Sequence, residues 1–418
     1  MSLVIIDGIR TPFSKLGSSL ASVDAVELGR IAVSALLART GFDPEQVDET
    51  IFGCVSQPFD AANIARVIAL RAGIPKSKPA MTVHRNCASS LESLTTAAER
   101  AAAGHGEVFI VGGTESMSRV PLLFSAAAAA KFAALARAKT WGGKAAAALS
   151  FRPRDFSPVI GLRLGLTDPV VSMGMGETAE VIAREYGVTR AEQDAFALAS
   201  HQRAAAAREI LREEMCPAYV PGAKGGFVLD DNGVRDGQSL AALAKLPPAF
   251  EKNTGTVTAG NSSQLTDGAV AMLVMTEARA EKLGLTPLGR LIDHAYAGCD
   301  PARMGLGPAY AIRKLAERCG LKPADADVIE INEAFAAQVL AVVKLMETPD
   351  FAAAGLQIPV EKLNPNGGAI ALGHPVGASG GRLVLTALKQ LHRTGGKRAL
   401  CSACIGGGQG GAVWVERP

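Results

Sequence analysis

The chain has 418 residues, nearly half of them apolar, few aromatic, and a formal net charge of +3. That length exceeds one ordinary hydrophobic core, so two or three domains are expected, and the small charge, without a Lys/Arg run or aromatic-basic interleaving, excludes nucleic acid as a partner. No apolar run reaches membrane-spanning length, no secretory h-region precedes the seven scattered cysteines, and a reduced, cytoplasmic setting is therefore expected.

In chain order, the apolar runs 4–6, 108–111, 328–331 and 412–415 read as buried strands separated by alanine-rich helical stretches, which predicts an α/β fold with parallel pairing. Cys87 precedes a helical pattern with Leu91, Leu94 and Ala98 that stops near Gly104 and gives way to the run 108–111 and then Gly112-Gly113. His374 precedes a second pattern with Val384, Leu388 and Leu391 that stops at Gly395-Gly396 and gives way to residues 399–403 and then Gly406-Gly407-Gly408. A duplicated α/β unit would set Cys87 and His374 at equivalent helix starts, facing each other across a pseudo-twofold axis.

Between the two units, residues 118–172 hold eight Lys/Arg against Asp155 and Asp168, more net positive charge than the whole chain. The stretches 124–132 and 144–151 read as helices hinged at Trp141-Gly-Gly143. A basic apolar hairpin suits a membrane surface, anionic cofactor phosphates or a partner subunit; equally, it suits a solvated cover, because Lys131 falls between Phe124 and Leu135 on the helical wheel and breaks the apolar stripe.

Cys87 at a helix start is placed for nucleophilic chemistry, since the N-terminal partial charge favours thiolate and Ala88, Ser89 and Ser90 leave room for substrate. His374, in a glycine-lined turn with Gly373 and Pro375, is the natural acceptor of the Cys87 proton. Cys401-Ser-Ala-Cys404 has metal-like spacing, but without a second cysteine pair or a His/Cys set the better reading is an acid/base thiol at Cys404, with a pKa nearer neutrality and the Gly406 amide beside it as an oxyanion donor. The glycines 406–411 precede a strand rather than a helix, against a dinucleotide turn. Asn332, after the strand Val328–Ile331, fits an N-cap of the following helix and fits a ligand-facing position at a sheet's carboxyl end equally well.

The four loops Cys87-Ala-Ser89, Asn332-Glu-Ala-Phe335, Gly373-His-Pro375 and Cys404-Ile-Gly406 resemble the active-site set of the thiolases, in the same order. The resemblance extends over almost the whole chain, through Arg10-Thr-Pro-Phe13, Gly112-Gly-Thr-Glu-Ser-Met117, Gly255-Thr-Val-Thr-Ala-Gly-Asn-Ser-Ser263 and Asp267-Gly-Ala269. It implies two βαβαβαββ halves packed as a layered α/β/α/β/α sandwich: residues 1–117 completed by 250–284, a loop domain 118–249 carrying the basic insertion 118–172, and a second half 285–418. It implies a homodimer or homotetramer acting on acyl-CoA and coenzyme A, with CoA as substrate and neither metal nor other cofactor.

By the same resemblance Cys87 is the nucleophile activated by His374, Cys404 the acid/base thiol, Asn332 the holder of a water that with His374 stabilises an enolate oxygen, and the Cys87 and Gly406 amides the tetrahedral oxyanion hole. Ser263 matches a pantetheine contact, with Ala259 and Gly260 of the same segment also assigned to CoA, and Met175 and Phe335 match positions lining the acyl pocket. Gly174 stands where biosynthetic short-chain thiolases have His, and Asn332 where the thiolase subunits of fatty-acid oxidation complexes often have His; the insertion resembles those subunits. The expected activity is 3-ketoacyl-CoA thiolysis on medium or long chains in β-oxidation, with a short-chain acetoacetyl-CoA thiolase as alternative, and a non-catalytic acyl-CoA-binding or lipid-binding protein as the alternative of another class.

Overall fold

The computed structural model describes residues 2–221 and 226–418; Met1, and residues 222–225 of the expected loop domain, lie outside the described residues. Nine strands follow one another across one sheet: Val328–Ile331, Arg398–Ile405, Gln409–Glu416, Gly289–Gly298, Leu3–Arg10, Thr266–Thr276, Val108–Ser116, Glu49–Gly53 and Ala80–Val83, with Ser14–Lys15 added beside Thr266–Thr276. The two halves meet where Leu3, Val4 and Ile5 pair with Leu291, Arg290 and Gly289.

The first half runs strand, helix Ala25–Thr40, strand, helix Ile64–Arg71, strand, helix Ser89–Ala102, then two strands. The second repeats that order with helices Gly307–Cys319, Ala336–Met346 and Ser379–Thr394, but its third strand is reduced to a bridge between Ile329 and Leu363. Pro359 and Pro365 bracket that segment and Asn364 turns it at φ 45°, so a ladder cannot extend there.

The expected parallel pairing holds only in part. Glu49–Gly53 is parallel to both its neighbours and Val328–Ile331 to Arg398–Ile405, but the other pairs are antiparallel. Each half ends in a returning strand, and a return through a tight turn is antiparallel. In the second half the return is the turn 406–408; at the matching place in the first half, between Val108–Ser116 and Thr266–Thr276, the chain inserts residues 117–265.

Three apolar clusters give the layers. Helices Ala25–Thr40 and Ile64–Arg71 cover one outer face, and Gly307–Cys319 and Ala336–Met346 the other. Between the two halves of the sheet, Leu91, Leu94 and Ala97 of one helix pack with Leu383, Val384, Leu388 and Leu391 of its counterpart. The approach is close because Gly380 faces Leu91, where a Cβ would lie 2.7 Å from Leu91 Cγ, and Gly381 N donates to Ser90 Oγ at 2.8 Å.

In the insertion the two expected helices are Ala126–Arg137 and Trp141–Leu149, with a third, Gly161–Gly165, further on, and the expected Trp141-Gly-Gly143 hinge is instead a first helical turn: Thr140 Oγ1 caps Gly143 N. Lys131 is spent within the hairpin, its Nζ donating to Asp155 at 2.6 Å and to Ser150 O at 2.9 Å, beside the packed rings of Phe132, Phe151 and Phe156. Arg10 ties residues 214–231 to the first half through fully buried pairs with Glu214 and Asp231.

Candidate active site

The strand Ala80–Val83 delivers its carboxyl end to a turn at Asn86–Ala88, and the helix begins at Ser89, two residues beyond Cys87. Asn86 takes φ 42°, which a short polar side chain tolerates when it is held; its Nδ2 donates to Gly406 O at 2.7 Å. Ser89 Oγ closes the turn, donating to Asn86 O and accepting from Arg85 N. The Cys87 turn is thus fastened, through Asn86, to the glycine turn that follows Cys404.

His374 sits one turn before its helix rather than at the equivalent start, since Pro375–Ala378 form an intervening turn that leads into Ser379. Gly373 has φ 104° and no space for a Cβ beside Thr266, so only glycine carries the chain here. His374 N donates to Gln264 O and Thr266 Oγ1, both at 3.1 Å. Ser379 Oγ lies 3.0 Å from Pro375 O and 2.5 Å from His374 Nδ1; with its one proton on Pro375 O, Nδ1 is the N–H donor in the second contact. Nε2 is left as the bare, basic nitrogen, 3.5 Å from Asn332 Nδ2. Burial, with Arg382 adding, pulls the imidazole down to about 4, so His374 is neutral at physiological pH.

Asn332 is not an N-cap. The helix Ala336–Met346 starts after Phe335, whose side chain makes no capping bond. Asn332 N instead donates to Ser402 O, and its buried Oδ1 has no partner among the described residues, which leaves it free for a water or ligand. Two residues outside the expected set hold this loop: Asn364 bonds both backbone groups of Ile331 and donates to Glu333 Oε1, and Glu333 also accepts from Ser200 Oγ and Ile370 N.

The thiols differ from expectation. Burial pushes the Cys87 thiol up, against the opposing backbone N–H groups of Gly406 and Cys87, so desolvation outweighs the helix terminus. Cys404 is pushed well above the ordinary thiol range, by burial first and by Cys87 second, not toward neutrality. The two cysteines are therefore within electrostatic reach of each other. Among the described residues no hydrogen bond joins Cys87 to the His374 ring. Cys401 and Cys404, three apart on one strand, point to opposite faces, one into the central layer and the other into an outer one, so they cannot share a metal.

The segment 258–266 threads between these loops. Ser263 N donates to Ala334 O, Ser262 bridges to Phe335, and Leu265 bridges to His374. Ser263 is half-buried, Ala259 exposed, and Gly260 buried against Leu243 and Leu246. Met175 opens the helix Met175–Glu185, and its Sδ lies 3.4 Å from where a Gly406 Cβ would stand. Phe335 packs edge-on to Phe250 with ring centroids 6.0 Å apart. Sequence reasoning missed Lys15 and Arg235 nearby: Leu16 N reaches Leu265 O, Gly233 O accepts from Gln264, and Arg235 repels the already desolvated Lys15 charge. Isolated basic residues on separate loops carry no sequence signal of such a meeting.

This fold, with thiols, a neutral histidine and backbone donors gathered at the carboxyl ends of strands, defines an acyl-transferring α/β enzyme. Family models described as "Thiolase, N-terminal domain" and "Thiolase, C-terminal domain" match residues 3–278 and 285–417. The chain belongs to the thiolase family and is an acyltransferase. It is 42% identical to a 3-ketoacyl-CoA thiolase of Pectobacterium carotovorum, covering 99% of this chain and 96% of that protein, and 40% identical to an acetyl-CoA acetyltransferase of Syntrophomonas wolfei, covering 99% and 98%. Human mitochondrial 3-ketoacyl-CoA thiolase matches with a TM-score of 0.87 at 37% identity, over 100% of this chain and 98% of that one.

Proposed function

We propose that the protein cleaves medium or long 3-ketoacyl-CoA with coenzyme A to acetyl-CoA and a shortened acyl-CoA, in fatty-acid β-oxidation. The observation that carries this reading is the convergence of two thiols on the Gly406 turn while neutral His374 presents Nε2 beside Asn332. His374 takes the Cys87 proton, and the sulfur attacks the 3-keto carbon. The carbon–carbon bond breaks to leave acyl-Cys87, and Cys404 gives its proton to the departing acetyl-CoA carbanion. Coenzyme A then gives its thiol proton to the Cys404 thiolate and takes the acyl group, and His374 returns the first proton to Cys87.

The electrostatics favour this order. With the thiol raised and the imidazole lowered, the resting pair is neutral, and the proton leaves Cys87 in the attacking step rather than beforehand. The Cys87 and Gly406 amides are assigned to the tetrahedral oxyanion, and His374 with a water on Asn332 to the enolate oxygen; one such donor contributes about 3–4 kcal/mol in other enzymes. Ser263, Ala259 and Gly260 are assigned to pantetheine, Met175 and Phe335 to the acyl chain, and Lys15 with Arg235 to CoA phosphates, whose charge would relieve their repulsion. The free thiols support a cytoplasmic setting, and a homodimer or homotetramer is the assembly proposed.

The alternative is a short-chain acetoacetyl-CoA thiolase, supported by comparable identity to acetyl-CoA acetyltransferases. Thiolysis rates against 3-ketoacyl-CoAs of four to sixteen carbons decide between them: rates rising beyond four carbons are expected, and activity confined to four overturns the chain-length assignment. Cys87→Ala should abolish turnover and leave CoA binding nearly intact; an active variant would overturn Cys87 as the nucleophile, whereas a native protein that binds CoA and turns over none of these substrates would return it to a non-catalytic acyl-CoA-binding reading.

A further inference from the structure

Glu115 lies near the end of the strand Val108–Ser116, fully buried, outside every role assigned above. Its Oε1 accepts from Ser56 N at 2.8 Å, and its Oε2 from Val55 N at 3.1 Å and Gly377 N at 2.9 Å. These donors belong to two different loops. Val55 and Ser56 follow Gly53, where a Cβ would lie 2.6 Å from the Ser89 carbonyl carbon, so their loop rests on the residue two beyond Cys87. Gly377 is three residues beyond His374, and a Cβ there would lie 2.7 Å from Thr114 O, 2.9 Å from Glu115 Oε2 and 3.2 Å from Cys54 Cα. Gly113, in the same strand, has no room for a side chain against the Gly377 carbonyl.

We propose that Glu115 is a positioning residue that clamps the His374 loop of one half against the 54–56 loop of the other, on which the helix start beside Cys87 rests, and so sets the separation across which the proton moves. Backbone meets backbone on both sides of the carboxylate, so either loop can shift only by breaking bonds to it. The placement is costly, since burial pushes Glu115 up to about 7 despite its backbone donors. A buried acid that joins the loop carrying His374 to the loop beneath the Cys87 helix start is better explained by their alignment than by general packing. The inference rests on the Cys87 and His374 roles proposed above.

The test is Glu115→Gln in the full chain. Glutamine keeps the volume but places an NH₂ where an oxygen accepted an N–H, so one loop loses its hold. The expected result is a fall in kcat of about tenfold or more with KM for CoA within about twofold, while iodoacetamide alkylates Cys87 at least as fast as in the native enzyme, because a like charge has left the thiol's surroundings. Gly377→Ala, which displaces the same loop from the other side, should give the same kcat-selective loss and decides the matter if Glu115→Gln does not fold. Native kcat in Glu115→Gln, a parallel fall of alkylation and kcat in both variants, or failure of both to fold overturns the clamp. An active Cys87→Ala would instead overturn the underlying reaction; inactive Cys87→Ala with fully active Glu115→Gln removes only the role of Glu115.

Discussion

The tautomer of His374 turns on a hydroxyl. Ser379 cannot donate to both Pro375 O and Nδ1, and with its proton on Pro375 O the ring carries its own proton on Nδ1 and keeps Nε2 as the base. Ser379→Ala frees the ring to adopt the other tautomer, and we expect kcat to fall about 10- to 100-fold, with KM for CoA and the thermal midpoint little changed; steady-state kinetics and a melting curve check this. The thiol offers a second expectation. Because burial raises Cys87 above the ordinary thiol range, its alkylation in the free enzyme should keep rising through the alkaline region, and a plateau near neutrality would contradict the neutral pair. For His374 the sign runs the other way: its folded pKa is depressed to about 4, so its contribution to stability is present above the ordinary imidazole range and is lost as pH falls through about 4.

At the scale of elements, the strand Val328–Ile331 and the helix Ser379–Thr394 are joined by a fully buried ion pair, Arg382 to Glu330 at 2.7 Å. Burial, with Glu333 adjacent, outweighs Arg382 and pushes the Glu330 carboxyl up to about 7; Glu330 Oε1 and Arg382 Nε have no hydrogen-bond partner among the described residues. Glu330→Met would strand the guanidinium in the core, at a cost of about 3–5 kcal/mol, whereas the double change Glu330→Met with Arg382→Leu should recover most of that loss; urea unfolding of the three proteins measures the difference. The helices themselves were legible, because Leu91, Leu94, Val384, Leu388 and Leu391 recur at helical spacing and Gly104 and Gly395 end the pattern. The pairing direction was not, since an apolar run such as 412–415 looks the same whether its neighbour runs with or against it. Cys87, His374 and Cys404 stood out beside glycines. Ser379, Asn364 and Glu115 did not: each acts through a contact made only by folding, and a serine four residues into a turn or a glutamate after two glycines has no periodicity to announce it.

For the whole molecule, the open question of function lies in residues 118–172, which occupy the same topological place as the three-residue turn 406–408 and feed directly into the site, with Met175 N bonded to Leu166 O. The hairpin's interior is settled by Phe132, Phe151 and the Lys131–Asp155 pair, which leaves its outside to be explained. Trp141 is 89% and Leu149 85% exposed, at opposite ends of one helix, within a segment of eight basic and two acidic residues. Large exposed apolar side chains framed by cations match an anionic lipid surface, where the rings enter the interface and the charges meet headgroups. We therefore expect the native protein to sediment with vesicles containing phosphatidylserine and to dissociate as salt is raised. Trp141→Ser with Leu149→Ser should weaken that binding about tenfold or more, two buried apolar side chains being worth at least 1.4 kcal/mol, with thiolysis of a soluble short-chain substrate unchanged. Unaltered vesicle binding in the double variant, together with a changed oligomeric mass, would assign this face to a protein partner instead.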